Sequence, residues 1–201
     1  MIRVLIAEDQ AMVRGALKAL LAMEEDIEIV GEADRADRVV ELAKRTTPNV
    51  ALLDIEMPGG DGISAAGSLR RELPECKVLI VTTFGRPGFL RRAMESGASG
   101  FMLKDAPAHE LAVAIRRTMA GERVVDPGLA AAALSAGISP LSDRECDVLR
   151  AGKAGASIAE IARSLFLSEG TVRNYLSSAI QKLEVGNRME ATRVAEEQGW
   201  L

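Results

Sequence analysis

Five side chains spread over residues 8–104 could together carry phosphoryl chemistry: Glu8, Asp9, Asp54, Thr82 and Lys104. Three carboxylates in one small volume cannot all stay ionised without a compensating cation. Hard oxygen ligands of this kind suit Mg2+, which takes one or two carboxylates and completes its shell with water and phosphate oxygens. Such an ion would neutralise a phosphoryl group approaching Asp54, whose carboxylate then acts as nucleophile toward phosphorus. Lys104 would pair with one phosphoryl oxygen, and Thr82 would donate a hydrogen bond to another. Phosphoryl transfer is mostly positioning and charge stabilisation, so this short set suffices. Taken singly, an acidic residue at a strand end is often only a solvated cap or turn former. The run Pro58-Gly59-Gly60-Asp61-Gly62 lacks the lysine and hydroxyl of a phosphate-cradling loop and reads as a plain turn opening a helix.

These residues meet only if the elements carrying them end at one edge. Short apolar runs bounded by turn residues predict strands at Ile2–Ala7, Ile27–Val30, Val50–Leu53, Val78–Val81 and Gly100–Leu103. Glu8 and Asp9 follow the first, Asp54 the third, Thr82 the fourth and Lys104 the fifth. Between them lie helical patterns. Met12, Val13, Ala16, Leu17, Leu20 and Leu21 recur at three-and-four spacing over 11–22, with similar stretches near 35–45, 62–72, 87–96 and 107–120. Five strands alternating with five helices predict an α/β unit over 1–120: a flavodoxin-like, doubly wound, five-stranded parallel sheet. Its strands present their C-terminal ends on one edge, where the five side chains would converge.

Residues 121–140 change character. Gly121, Pro127, Gly128, Gly137 and Pro140 punctuate an alanine-rich stretch that reads as a linker with about one helical turn. Over 141–201 the pattern is all-α. Ser142 with Glu145 is a capping-box signature opening a helix to about Gly152. A second helix is expected over 157–164, a third from Ser168, and a fourth from Asn187 to Gly199. Four helices with short connections predict a helix-turn-helix domain.

Composition narrows the function. The 201 residues are 48% hydrophobic and 27% charged, ordinary for a globular chain. Six aromatics are too few for stacking platforms on single-stranded nucleic acid. The net charge of −4 gives no global footprint of a nucleic-acid binder, so any DNA contact must be local. Cys76 and Cys146 stand far apart and His109 is the sole histidine, which excludes a disulfide framework and argues against a Cys/His zinc site. No apolar run is long enough to span a bilayer, and Glu8-Asp9 interrupt the apolar start. A soluble, cytoplasmic protein is expected.

Residues 1–120 resemble the receiver domain of bacterial two-component response regulators. The matching pieces are Glu8-Asp9, the segment Asp54-Ile55-Glu56-Met57-Pro58-Gly59-Gly60-Asp61-Gly62, Thr82, and Gly97-Ala98-Ser99-Gly100-Phe101-Met102-Leu103-Lys104. The resemblance implies that Asp54 accepts a phosphoryl group from a sensor histidine kinase. It implies Mg2+ held by Glu8, Asp9, Asp54 and the backbone carbonyl of Glu56, and a switch pair in Thr82 and Phe101. Glu56 and Phe84 stand two residues past the phosphoacceptor and the switch hydroxyl, where such proteins modulate dephosphorylation. Neither offers an amide to orient water, which predicts a long-lived phosphorylated state. Ile6–Gln10 and Thr82–Gly88 are similar to the desaturase-regulating branch, which points to membrane-lipid genes.

Residues 141–201 resemble the LuxR/NarL/FixJ helix-turn-helix domain. The resemblance is carried by Leu141–Glu145 with Val148-Leu149, Ile158–Ala162, Leu167–Tyr175, Lys182–Val185 and Asn187-Arg188. Tyr175 stands where the family often has histidine. Within 170–193, Arg173, Lys182, Arg188 and Arg193 outnumber Glu184 and Glu190, so positive charge gathers near the third helix. That helix would enter the major groove of double-stranded DNA. Arg173, Asn174 and Ser177 are the candidate base contacts, while Ser168, Thr171, Tyr175, Lys182 and Arg188 are candidate phosphate contacts. So few positive charges predict weak binding by one domain and hence a homodimer formed on phosphorylation. RNA polymerase is a further candidate partner. The expected protein turns over no substrate beyond its own phosphoryl transfer and slow autodephosphorylation. Two rivals remain: a phosphohydrolase, which would want its nucleophile in an Asp-x-Asp loop near the N-terminus, and a receiver-like module that never uses phosphate.

Overall fold

The computed structural model describes residues 1–83, 85–135, 139–153 and 155–201, so Phe84 lies outside the described residues. In chain order the elements are β1 (Ile2–Ala7), α1 (Ala11–Leu21), β2 (Ile27–Ala33), α2 (Val39–Thr46), β3 (Val50–Leu53), β4 (Glu56–Met57), β5 (Gly60–Asp61) and α3 (Gly62–Glu72). Then follow β6 (Lys77–Thr82), α4 (Pro87–Glu95), β7 (Gly100–Leu103), α5 (Ala108–Met119), β8 (Val124–Val125) and α6 (Pro127–Ser135). The last four are α7 (Asp143–Gly152), α8 (Ile158–Ser164), α9 (Glu169–Lys182) and α10 (Arg188–Glu197). The chain divides into two compact units, Met1–Gly85 with Leu90–Ala131, and Arg86–Phe89 with Ala132–Leu201.

The first unit is the expected doubly wound α/β layer. Its strands run parallel in the order β2-β1-β3-β6-β7-β8. Val50, Ala51, Leu52 and Leu53 of β3 are all buried, as a strand covered on both faces requires. One face packs Val4, Ile6, Val50, Leu52, Leu79 and Val81 against Leu21 of α1 and Leu111 and Ile115 of α5. Helices α2 and α3 pack against strands of the same sheet.

The sheet departs from the five-strand reading in one respect: β8 adds a sixth strand, pairing Val124 with Gly100 and Val125 with Phe101. Two residues carry no periodicity and acquire strand geometry only from a neighbour. β2 runs on to Ala33, past the expected Val30, because Glu28 and Glu32 break the apolar run without breaking the pairing. The register slips between Val4, which pairs with Ile29, and Leu5, which pairs with Gly31, so that Val30 is passed over. The stretch 121–140 also holds more order than a linker with one turn. Pro127 starts α6, Asp126 caps it by accepting from Leu129 N at 2.8 Å, and Ala130–Ala133 continue it. The Pro58–Gly62 turn is a small hairpin in which Met57 pairs with Gly60. Positive φ at Gly59 and Gly60 lets the chain reverse there, and Asp61 caps α3 by accepting from Ser64 N at 2.8 Å.

From residue 139 on, the described residues of the second unit form four helices joined by short connections, with no strand among them. Ser142 with Glu145 and Ser157 with Glu160 form capping boxes at α7 and α8, while Ser168 and Asn187 cap α9 and α10. Each cap stands where the serine or asparagine precedes an apolar pattern, so the sequence places each start. Val148, Leu149, Ile161, Val172, Leu176, Ala179 and Ala191 form the core. Among the described residues no helix is long and apolar enough to cross a membrane.

Candidate functional site

The strand ends bring the predicted carboxylates together. Asp54 N donates to Ala7 O at 2.9 Å, which ties the end of β3 to the end of β1. Glu8, Asp9 and Asp54 each place one carboxylate oxygen so that all three lie within 4.8 Å of one another. Glu8 is 1% exposed and Asp54 5% exposed, so the charges sit in a site largely closed to bulk water. Lys104, just past β7, bridges two of them: its Nζ donates to Asp54 Oδ2 at 2.8 Å and meets Glu8 Oε2 as an ion pair at 2.6 Å. Ile55 N donates to Asp54 Oδ1 at 2.7 Å, and Gln10 N donates to Glu8 Oε1 at 3.2 Å.

One ammonium against three carboxylates leaves an excess of negative charge. Burial pushes Glu8 above the usual carboxylate range, and the Asp54 charge adds to this against the pull of Lys104. Burial alone would lower the Lys104 ammonium, yet its hydrogen bonds to Asp54 and Glu8 hold it above the usual lysine range. Asp9 Oδ1 is a buried oxygen with no hydrogen-bond partner. A partnerless buried oxygen within a set of three hard donors fits a small divalent cation. The side chain of Glu56, at the start of β4, is exposed; its role in the expected set is that of a backbone carbonyl.

Thr82 ends β6 and Phe101 lies on β7, both fully buried. Ile80 pairs with Phe101 and Thr82 with Leu103, so Thr82 and Phe101 share one face of the sheet, one pleat apart. A residue that sequence reasoning passed over sits beneath Asp54. A Cβ on Gly62 would lie 1.8 Å from the Asp54 carbonyl oxygen, and Gly62 N donates to Ile55 O at 2.9 Å. Gly62 was visible as part of the glycine run, but only the fold shows what it approaches.

In the helical unit, α9 exposes a continuous stripe of Gly170, Arg173, Asn174, Ser177 and Gln181. The three expected base contacts lie on it. Gln181, absent from the sequence-based set, extends it by one turn, at the spacing of seven and eight from Asn174 and Arg173. Arg173 pairs with Glu169 at 2.8 Å, with both side chains about half exposed. The expected phosphate contacts are engaged within the unit. Ser168 Oγ accepts from Thr171 N at 3.1 Å and lies 2.8 Å from Thr171 Oγ1. Tyr175 packs at the edge of the core. Arg188 donates to Ala156 O at 2.8 Å. Lys182 donates to Glu145 Oε2 at 2.7 Å, while Ser178 donates to Glu145 Oε1 at 2.6 Å and Ser142 N donates to Oε2 at 2.6 Å. Burial alone would raise the Glu145 carboxyl; Lys182, Ser178 and Ser142 outweigh it and hold the pKa down at about 2.

Comparison with known proteins agrees with both halves. The response regulator receiver domain family matches residues 4–116, and the LuxR family of bacterial regulatory proteins matches residues 139–195. The transcriptional regulatory protein DesR of Bacillus subtilis is 46% identical over 201 residues, covering all of both chains. The crystal structure of response regulator ChrA, from a heme-sensing two-component system, is 34% identical, with a TM-score of 0.59 over 100% of this chain and 98% of that one. A structure of two RcsB dimers bound to two parallel DNAs is 25% identical, with a TM-score of 0.66 over 98% of each chain.

Proposed function

The chain belongs to the response regulators that join a receiver domain to a LuxR-type DNA-binding domain, and from that membership we propose that phosphorylation of Asp54 switches its hold on DNA. The observation that carries this reading is the cluster of Glu8, Asp9 and Asp54, in which Lys104 bridges the buried Glu8 and Asp54. A carboxylate oxygen of Asp54 attacks the phosphorus of a sensor kinase's phosphohistidine. The N–P bond breaks, and an acyl phosphate forms on Asp54. Glu8, Asp9, Asp54 and the carbonyl of Glu56 would hold Mg2+, which when bound neutralises phosphoryl oxygens. Lys104 is positioned to follow the charge from the carboxylate to the phosphoryl group. The Thr82 hydroxyl moves toward that group, and the Phe101 ring turns into the space it leaves, converting a local charge change into a shifted surface.

The phosphorylated protein pairs with a second copy. Met12 and Leu20 on α1, and Val113 and Met119 on α5, are exposed apolar side chains of a kind a partner copy covers. Two copies place two α9 helices on adjacent half-sites of double-stranded DNA, with Arg173, Asn174 and Ser177 at base edges. We place the protein in the cytoplasm, with the kinase and RNA polymerase as its further partners and membrane-lipid genes as the target class. The residues at 1–120 and 141–201 act as receiver and DNA-binding parts joined through 121–140.

Incubation with Mg2+ and a small-molecule phosphodonor tests the reading. A mass increase of one phosphoryl group is expected, lost in Asp54→Asn, with tighter operator binding only in the labelled protein. If Asp54→Ala binds operator and dimerises as the unaltered chain does under kinase and Mg2+, the phosphate switch is wrong. Label that decays within a minute without a phosphatase would refute the long-lived state expected from Glu56 and Phe84.

A further inference from the structure

Opposite the acidic edge, the starts of β6, β7 and β8 and the ends of α3 and α5 line a polar, half-open cavity of about 180 Å³. Three cations border it: Arg70 from the last turn of α3, Lys77 from the start of β6, and Arg123 just before β8. Among the described residues no carboxylate forms an ion pair with any of them. The one carboxylate in the lining, Glu122, is already bound by Arg117 at 2.8 Å. Cations near helix C-termini often serve only the helix dipole, which would account for Arg70. Lys77 and Arg123 lie on no helix, and the last turn of α5 has its own Arg116 and Arg117. The Arg70 stem runs across Gly97, where a Cβ would come 3.0 Å from Arg70 Cγ.

A second, independent observation points to a ligand. Thr118 of α5 also borders the cavity, is 0% exposed, and its Oγ1 has no hydrogen-bond partner. A buried hydroxyl left without a partner is costly, and each such group in a native fold calls for a partner. Three unpaired cations and an orphaned donor around a polar hollow make a receptor for a small, multiply charged oxyanion.

We propose that this cavity binds a small phosphate-class dianion, either inorganic phosphate or the headgroup of a small phosphomonoester. The three cations balance its charge and Thr118 donates to one oxygen. The cavity volume holds one such group with a few waters, since each water occupies about 30 Å³ of liquid. The site is remote from Asp54 along the strands, so its ligand would act on the receiver without competing for the phosphoacceptor.

Titration of inorganic phosphate into the full-length, nitrogen-15-labelled protein, at constant ionic strength and without divalent cations, tests this. Saturable shifts are expected at the amides of Gly97, Ser99, Gly121 and Arg123, with half-saturation at about 1 mM or below, and none at Glu8 or Ile55. Thr118→Val keeps the side-chain shape and removes the orphaned hydroxyl, so it folds and weakens phosphate by about tenfold. Lys77→Gln with Arg123→Gln abolishes the shifts. A parallel titration with glycerol phosphate separates the two sources: tighter binding of the ester assigns the site to phosphomonoesters, and equal or weaker binding assigns it to inorganic phosphate. Shifts that chloride reproduces, or that persist in the double variant, would overturn the proposal. So would a double variant that loses DNA affinity when phosphate produces no shift in the unaltered chain, because the cations would then serve nucleic acid.

Discussion

At the residue scale, the site depends on how closely atoms approach Asp54. Lys104 holds two of three carboxylates and Asp9 Oδ1 stays without a partner, which leaves the cluster one charge-balancing cation short. Gly62 sets the backbone beneath. Because a Cβ would fall 1.8 Å from the Asp54 carbonyl oxygen, Gly62→Ala must push the strand end or the start of α3 aside. We expect Gly62→Ala to destabilise the receiver by about 1–3 kcal/mol, the usual range for overpacking, and to lower the rate of phosphodonor labelling sharply. Denaturant melts and labelling kinetics would show both effects, and unchanged labelling would contradict this view of Gly62. The carboxylates were legible because each follows an apolar run that ends in a polar residue. The Gly62 contact was not, since closeness between residues 54 and 62 depends on how the intervening hairpin folds.

At the scale of elements, α9 has two sides with different work. Arg173 lies on the outward stripe, whereas Lys182 is tied to Glu145 and Arg188 to a carbonyl. Arg173→Ala should therefore weaken operator binding by about 1–3 kcal/mol and relax specificity at one base pair. Lys182→Met should instead lower the stability of the helical unit, by about 2 kcal/mol, because it strands a buried carboxylate that keeps two other donors. Binding isotherms and thermal melts separate the two. The acid limb follows from the same carboxylate. Its folded pKa of about 2 lies below the ordinary 4.5, so its contribution is full above pH 4.5 and is lost as pH falls toward 2. Glu145→Gln should flatten the fall in stability over that window, as melts at stepped pH would reveal. The helix starts here were legible from serine and asparagine caps three residues ahead of their partners. The strand β8 and the tie from Lys182 to Glu145 were not, since both exist only when distant segments meet.

At the scale of the whole molecule, a chain of net charge −4 must find DNA through a small basic surface, and the proposed pairing with a second copy would double that surface. Inserting about 5 bp between half-sites turns the second onto the opposite face of the duplex, so tight binding of the phosphorylated protein should be lost. Val113→Arg on the exposed face of α5 should keep the labelled protein monomeric in sedimentation and loosen its operator binding. The bridge at Glu145 has one more consequence. The same carboxylate closes the first turn of α7 and anchors α9 across 37 residues of sequence. First turns of helices ordinarily fray and exchange their amide hydrogens through small local openings. Here α7 cannot unwind at its start without releasing α9. Amide exchange at Glu145 should therefore proceed only through opening of the whole helical unit, at the same slow rate as the amides of Val172 and Leu176.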